Sequence, residues 1–141
     1  MLVFFIGINY QFSLEEDFNL KVGEVKKTNT YEINFENINI KDGKNYKAII
    51  GNFKLTNLKN NLFQYLSPEI RIYPNPETLT YEAAIKTKIS SDLYLTMSNV
   101  SRSEYYNIKF QKKPFMIWIW ISALMIAFGG FVQLTLKKNE N

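Results

Sequence analysis

From Phe115 to Leu136 the chain runs for 22 residues without a charge, FMIWIWISALMIAFGGFVQLTL, between Lys112-Lys113 and Lys137-Lys138. At about 1.5 Å of rise per residue, a helix of this length spans roughly 30 Å, the thickness of a bilayer's hydrocarbon core. Length, lack of charge and flanking lysines favour a membrane span over a buried core helix. Trp118 and Trp120 sit near its start, where interfacial aromatics collect, and Pro114 at the helix entry needs no backbone donor. Gly129 and Gly130 allow another helix to approach closely, although adjacent glycines are not a GxxxG motif. The predicted transmembrane helix covers residues 114–136 and leaves 137–141 as a short tail.

At the other end, MLVFFIGI is apolar for only eight residues and lacks the charged start and small-residue cleavage site of a signal peptide. Residues 1–8 are expected to be the end of a membrane helix whose beginning is missing, or an interfacial segment, with a first β-strand as the plain alternative. Charge alone does not orient the span. Arg102, Lys109, Lys112 and Lys113 precede it closely and Lys137 and Lys138 follow, but a preceding segment of about a hundred residues is translocated largely regardless of charge.

Between the ends, period-two alternation recurs. In Tyr31-Glu32-Ile33-Asn34-Phe35 the apolar residues share a face, and the phase then slips to Ile38 and Ile40, as a β-bulge would make it. Asp42-Gly43 signals a turn; Tyr46, Ala48 and Ile50 resume the alternation until Gly51 shifts it to Phe53 and Leu55. Further strands are expected at Leu62–Leu66, Asp92–Met97 and Tyr105–Gln111, while Tyr81–Lys88 suits a short helix. The fold class is therefore mainly β: a small antiparallel barrel or sandwich over residues 9–113, followed by one C-terminal transmembrane helix.

The chain has 141 residues, 46% hydrophobic and 16% aromatic, enough for one packed domain beside the span. It contains no histidine and no cysteine, which removes the usual zinc sites, histidine ligation of haem, disulfides and imidazole-based catalysis. The formal charge of +4 comes from scattered lysines and arginines, so no nucleic-acid partner is expected. No phosphate loop or dinucleotide fingerprint occurs, and no catalytic residue or metal ligand is assigned.

Glu69-Ile70-Arg71-Ile72-Tyr73 is the most informative stretch outside the span. Strand alternation puts Glu69, Arg71 and Tyr73 on one face and the isoleucines on the other. Such a face could bind a carboxylate or propionate through Arg71; the ordinary reading is a local ion pair worth about 0–1 kcal/mol. Glu82 suits a turn or helix cap, and no acid–base partner for it is evident. Glu15-Glu16-Asp17 lacks the spacing of a calcium loop and reads as a solvated acidic segment. Asn99-Val100-Ser101 matches a glycosylation sequon, a pattern common by chance.

Taken in order, Pro68-Glu69-Ile70-Arg71-Ile72-Tyr73, Thr80-Tyr81-Glu82-Ala83-Ala84-Ile85, Asp92-Leu93-Tyr94, Lys113-Pro114-Phe115, Trp118-Ile119-Trp120 and Gly129-Gly130 resemble the C-terminal end of the CcmF/NrfE family. These are the large membrane subunits of the cytochrome c haem lyase. Val22-Gly23 and the Asn45-Tyr46 hairpin extend the likeness over most of the chain, and Ser122 stands where the family often has glycine. The resemblance implies a bacterial inner-membrane protein with its β-domain in the periplasm, or a mitochondrial inner-membrane protein facing the intermembrane space.

The family's haem-binding histidines and tryptophan-rich segment lie upstream of the region resembled. The resemblance therefore implies a C-terminal fragment or split subunit that binds no cofactor itself while the complex handles haem. The implied partners are other cytochrome c maturation membrane subunits, including a histidine-bearing upstream part, with a haem chaperone, apocytochrome c and membrane lipid. The candidate docking motif is Glu69, Arg71, Tyr73, Glu82, Asp92 and Tyr94, and the membrane-entry motif is Lys113, Pro114, Trp118 and Trp120. The competing expectations are a single-span protein whose β-domain binds an extracytoplasmic ligand or protein, and a membrane enzyme using Glu69, Glu82 or Asp92.

Overall fold

Two antiparallel sheets account for the middle of the chain in the computed structural model, which describes residues 1–100 and 103–139, the last three by backbone alone. Ser101 of the sequon, Arg102 and the last two residues of the tail lie outside the described residues. The element order is α1 (Leu2–Phe12), β1 (Leu14–Leu20), β2 (Val25–Lys27), β3 (Tyr31–Asp42), β4 (Lys47–Asn57), β5 (Phe63–Leu66), β6 (Glu69–Pro74), β7 (Glu77–Glu82), β8 (Ala84–Thr87), β9 (Ser91–Asn99), β10 (Tyr106–Pro114) and α2 (Met116–Asn139). One sheet has the strand order β1-β10-β9-β8; the other runs β2-β3-β4-β6-β7, with β5 also paired to β4.

The β3–β4 hairpin forms where the alternation predicts it. Phe35 pairs with Phe53, Asn37 with Asn52 and Ile38 with Gly51, so Glu36 is the extra residue of a bulge. That insertion returns Ile38 and Ile40 to the face of Ile33 and Phe35. A backbone bond from Gly43 to Tyr46 (2.8 Å) closes the turn. Gly51 has no room for a side chain, because a Cβ would lie 2.7 Å from Met97 Sδ and 2.8 Å from the Phe53 ring.

The sheets meet through side chains of both. Tyr31 packs edge-on against Phe110 at 5.5 Å between ring centroids, and Phe35 against Tyr106 at 5.7 Å. Ile33, Phe35, Phe53 and Leu55 on one side, with Leu93, Leu95, Met97, Ile108 and Phe110 on the other, are fully excluded from water. Burial of this apolar surface supplies the main drive for folding. The result is a sandwich.

Two local expectations are corrected, and a third is given its place in the fold. Tyr81–Lys88 forms no helix: β7 ends at Glu82 and β8 begins at Ala84, in different sheets. Thr80 pairs with Arg71 and Tyr81 with Ile70, and this ladder to β6 outweighs the weak helical preference of two alanines in a segment too short for a stable helix. Glu15-Glu16-Asp17 lies within β1 with Glu15 and Asp17 exposed, and the Glu15 carboxylate accepts from Lys109 Nζ (2.6 Å) and Gln111 Nε2 (2.9 Å). Pro114 closes β10 and does not open the helix, since Phe115 intervenes at φ 54°, a left-handed corner that starts a new element.

The chain divides into two compact units: Glu15–Lys86 with Leu93–Gln111, which form the sandwich, and Met1–Leu14 with Thr87–Asp92 and the chain from Lys112 onward. In the second unit, α1 runs past Ile8 to Phe12 and buries none of its residues. Within α2, Met116–Leu136 has a mean hydropathy of 1.9 and is 6% buried inside the chain, so it is long and apolar enough to cross a membrane.

Candidate functional site

The β6 strand carries the first cluster. Ile70 is buried at 2% exposure while Glu69, Arg71 and Tyr73 are half-buried on the opposite face, as alternation requires. Arg71 Nε donates to Glu69 Oε2 at 3.1 Å, and its Nη1 lies 3.6 Å from Glu82 Oε1 on β7. Register explains the second contact: Glu69 pairs directly with Glu82, and Arg71 stands two residues along the same face. Two like charges face each other there, and the guanidinium between them relieves their repulsion.

Glu69, mainly by its hydrogen bond, raises the Arg71 pKa above the ordinary guanidinium value, so the cation is permanent. The Arg71 guanidinium also lies 5.1 Å from the Tyr46 ring centroid, and Tyr46 meets Tyr73 at 5.5 Å. A cation–π contact and ion pairs this open to solvent are screened and contribute little. The cluster is therefore a shaped, charged surface and no major source of stability. Beside it, a recess of about 250 Å³ opens between the β3–β4 turn, Ile72 and Pro74.

Glu69, Arg71, Tyr73 and Glu82 thus come together, whereas Asp92 and Tyr94 lie on β9 of the other sheet. Asp92 is 7% exposed and its Oδ1 has no hydrogen-bond partner among the described residues; Tyr94 is half-buried. Tyr46 is the member that motif inspection does not select. Its place beside Arg71 depends on the pairing of Lys47 with Ile72, a contact across 25 residues.

Of the residues expected to form a membrane-entry motif, Pro114 and Trp118 are bonded at the start of α2. The Pro114 carbonyl accepts from Asn9 Nδ2 at 2.6 Å, and the Phe115 amide donates to Ser90 O at 3.0 Å. Trp118 Nε1 donates to Ile89 O at 3.0 Å, while its ring stacks on Phe5 at 5.8 Å. Ser122 Oγ turns back to Trp118 O at 2.8 Å, one helical turn earlier. Lys113 is half-buried near the end of β10, and Trp120 is exposed on α2. These bonds fix the start of α2 against α1 and the loop before β9.

Residues 11–114 match the model of a family described as the CcmF C-terminal beta-sandwich. The chain belongs to the CcmF family. A CcmF protein of Haemophilus influenzae is 32% identical over 135 residues, covering 94% of this chain and 20% of the relative. That of Escherichia coli is 27% identical over 129 residues, covering 92% of this chain and 20% of the relative. The ccl1 protein of Rhodobacter capsulatus is 30% identical over 118 residues, covering 84% and 18%. All three are named as cytochrome c-type biogenesis proteins.

A solved structure, the cytochrome c heme lyase CcmF, superposes with a TM-score of 0.68 at 16% identity, over 91% of this chain and 21% of that one. The chain spans about a fifth of the length of the CcmF relatives it matches. It corresponds to their C-terminal portion, a β-sandwich followed by an apolar helix.

Proposed function

We propose that this chain serves cytochrome c maturation as the C-terminal docking and anchoring part of a haem lyase complex. In this reading α2 crosses the bacterial inner membrane, or its mitochondrial counterpart, and the sandwich stands on the periplasmic or intermembrane-space side. Haem is substrate here. The chain has no histidine or cysteine to ligate its iron, so axial ligation falls to a histidine-bearing membrane partner. A folded face that positions that partner, or an incoming apocytochrome c or haem chaperone, needs no such ligand.

The observation that carries the docking role is the Glu69–Arg71–Glu82 cluster framed by Tyr46 and Tyr73. Two carboxylates and one guanidinium leave a formal charge of −1 (−2 + 1) on a surface whose tyrosines offer rigid contact area. That combination suits a partner surface presenting a hydrogen-bond donor or a cation beside an apolar group. Removing Arg71 leaves two opposed carboxylates and frees both tyrosines to move.

Arg71→Ala is expected to weaken docking by the equivalent of 1–2 kcal/mol, a roughly five- to thirty-fold effect. The check is haem staining of c-type cytochromes in cells that make the variant at normal membrane levels. Lower maturation with unchanged insertion is expected, with partial recovery in Arg71→Lys. Unchanged maturation at equal protein levels would remove the cluster from the function.

A further inference from the structure

We infer that the loop Lys88–Ser91 is a membrane-surface anchor, in which Ile89 enters the headgroup and upper acyl region of a bilayer and Lys88 meets the phosphates of anionic phospholipids. This rests on α2 spanning a membrane. The decisive contact is the Trp118 Nε1 bond to Ile89 O, 3.0 Å long. Trp118 lies in the first turn of α2, where the span enters the bilayer and tryptophan rings occupy the headgroup layer. The ring's only N–H is committed to the loop, so the Ile89 backbone is held at the depth of the ring.

A second tether, Phe115 N to Ser90 O at 3.0 Å, ties the next residue to the corner that opens α2. The loop also closes on itself, from Lys88 N to Ser91 O at 3.1 Å. Between these fixed points the Ile89 side chain is 74% exposed, while Ser91 and Asp92 just beyond it are buried at 7%. A lone exposed isoleucine on a soluble surface needs no explanation. One bonded to the entry turn of an apolar span faces lipid, where its exposure is favourable.

Charge points the same way. Lys88 is exposed on the loop and Lys112 and Lys113 are half-buried near the end of β10, whereas Asp92, the one acidic side chain between Lys88 and Asp92, is buried. Basic side chains at this depth are attracted to anionic lipid within a Debye length of the surface. The Trp118–Ile89 and Phe115–Ser90 bonds join the loop to the start of α2, with Ile89 and Trp118 apolar and exposed and Lys88 basic beside Ile89 in the chain.

Because the chain has no cysteine, single thiols can be placed at will. The full chain carrying Ile89→Cys, Phe128→Cys or Asn60→Cys, labelled with an environment-sensitive fluorophore, is reconstituted in vesicles of phosphatidylcholine and phosphatidylglycerol. Phe128 reports the middle of the span and Asn60 a polar turn of the sandwich. The label at position 89 is expected to be quenched by nitroxide lipids, more strongly by a shallow than a deep nitroxide, and to resist aqueous iodide. Iodide quenching at 89 equal to that at 60, with 128 deep in lipid, overturns the anchor alone. Iodide quenching at 128 overturns the span and the anchor with it.

The lysine is tested in the same vesicles. Replacing phosphatidylglycerol by phosphatidylcholine should lower shallow quenching at 89 about two-fold with Lys88 present and leave it unchanged in Lys88→Gln. Equal lipid dependence in both proteins would remove Lys88 from the anchor.

Discussion

Phe53→Ala is expected to cost about 3–5 kcal/mol, a large share of the usual domain stability of about 5–15 kcal/mol. Phe53 is fully buried and stacked on Phe35 at 4.3 Å with 13° between the rings. The two residues are also cross-strand partners, one step before the bulge that resets β3. Truncation leaves a cavity at the point where the bulge, Gly51 and Met97 already pack to contact, so the surroundings cannot collapse inward. Denaturant titration of the full chain in detergent, followed by the β signal in circular dichroism, measures this. Phe63→Ala is the control, since Phe63 is 59% exposed and should change stability by less than about 1 kcal/mol. Equal shifts for the two variants would contradict the assigned core.

The second large effect concerns the anchor. Leu124 and Phe128 are 70% and 69% exposed and lie one turn apart on α2, so both face whatever surrounds the helix. If that is lipid, Leu124→Arg with Phe128→Arg costs roughly 6–8 kcal/mol of insertion free energy, from about 2.5–3.5 for each arginine and a few tenths for each apolar side chain lost. The double variant should be released from membranes by alkaline carbonate while the parent chain is retained. Retention of the variant would mean that α2 is covered by protein at this face.

Much of this architecture is legible in the alternation of side chains. The slip after Phe35 marks the bulge, Asp42-Gly43 marks the turn, and the period-two order of Glu69, Arg71 and Tyr73 gives the exposed face of β6. These are local signals, set by neighbours two residues apart. What remains hidden depends on register between distant strands. Glu82 lacks an evident partner in the sequence because Arg71 reaches it only through the β6–β7 ladder, and Tyr46 joins the cluster only through the β4–β6 pairing.

The same physics explains the misplaced helix. Tyr81-Glu82-Ala83-Ala84 has a weak helical preference from its alanines, but the chain there crosses from one sheet to the other at Ala83. Hydrogen bonds to β6 and β9, both remote or non-helical in spacing, decide the outcome. At the start of α2, Pro114 and Trp118 are visible as a motif, yet the bonds that give them meaning come from Asn9 and Ile89. Side chains far apart in sequence build that corner.

The most direct test of the docking account is purification of the tagged chain from native membranes in mild detergent, with mass spectrometry of its partners and a haem absorbance spectrum. Co-purification of a histidine-bearing cytochrome c maturation subunit carrying haem is the expected result, diminished in Arg71→Ala. Recovery of the chain alone and haem-free, with Arg71 intact, would contradict it.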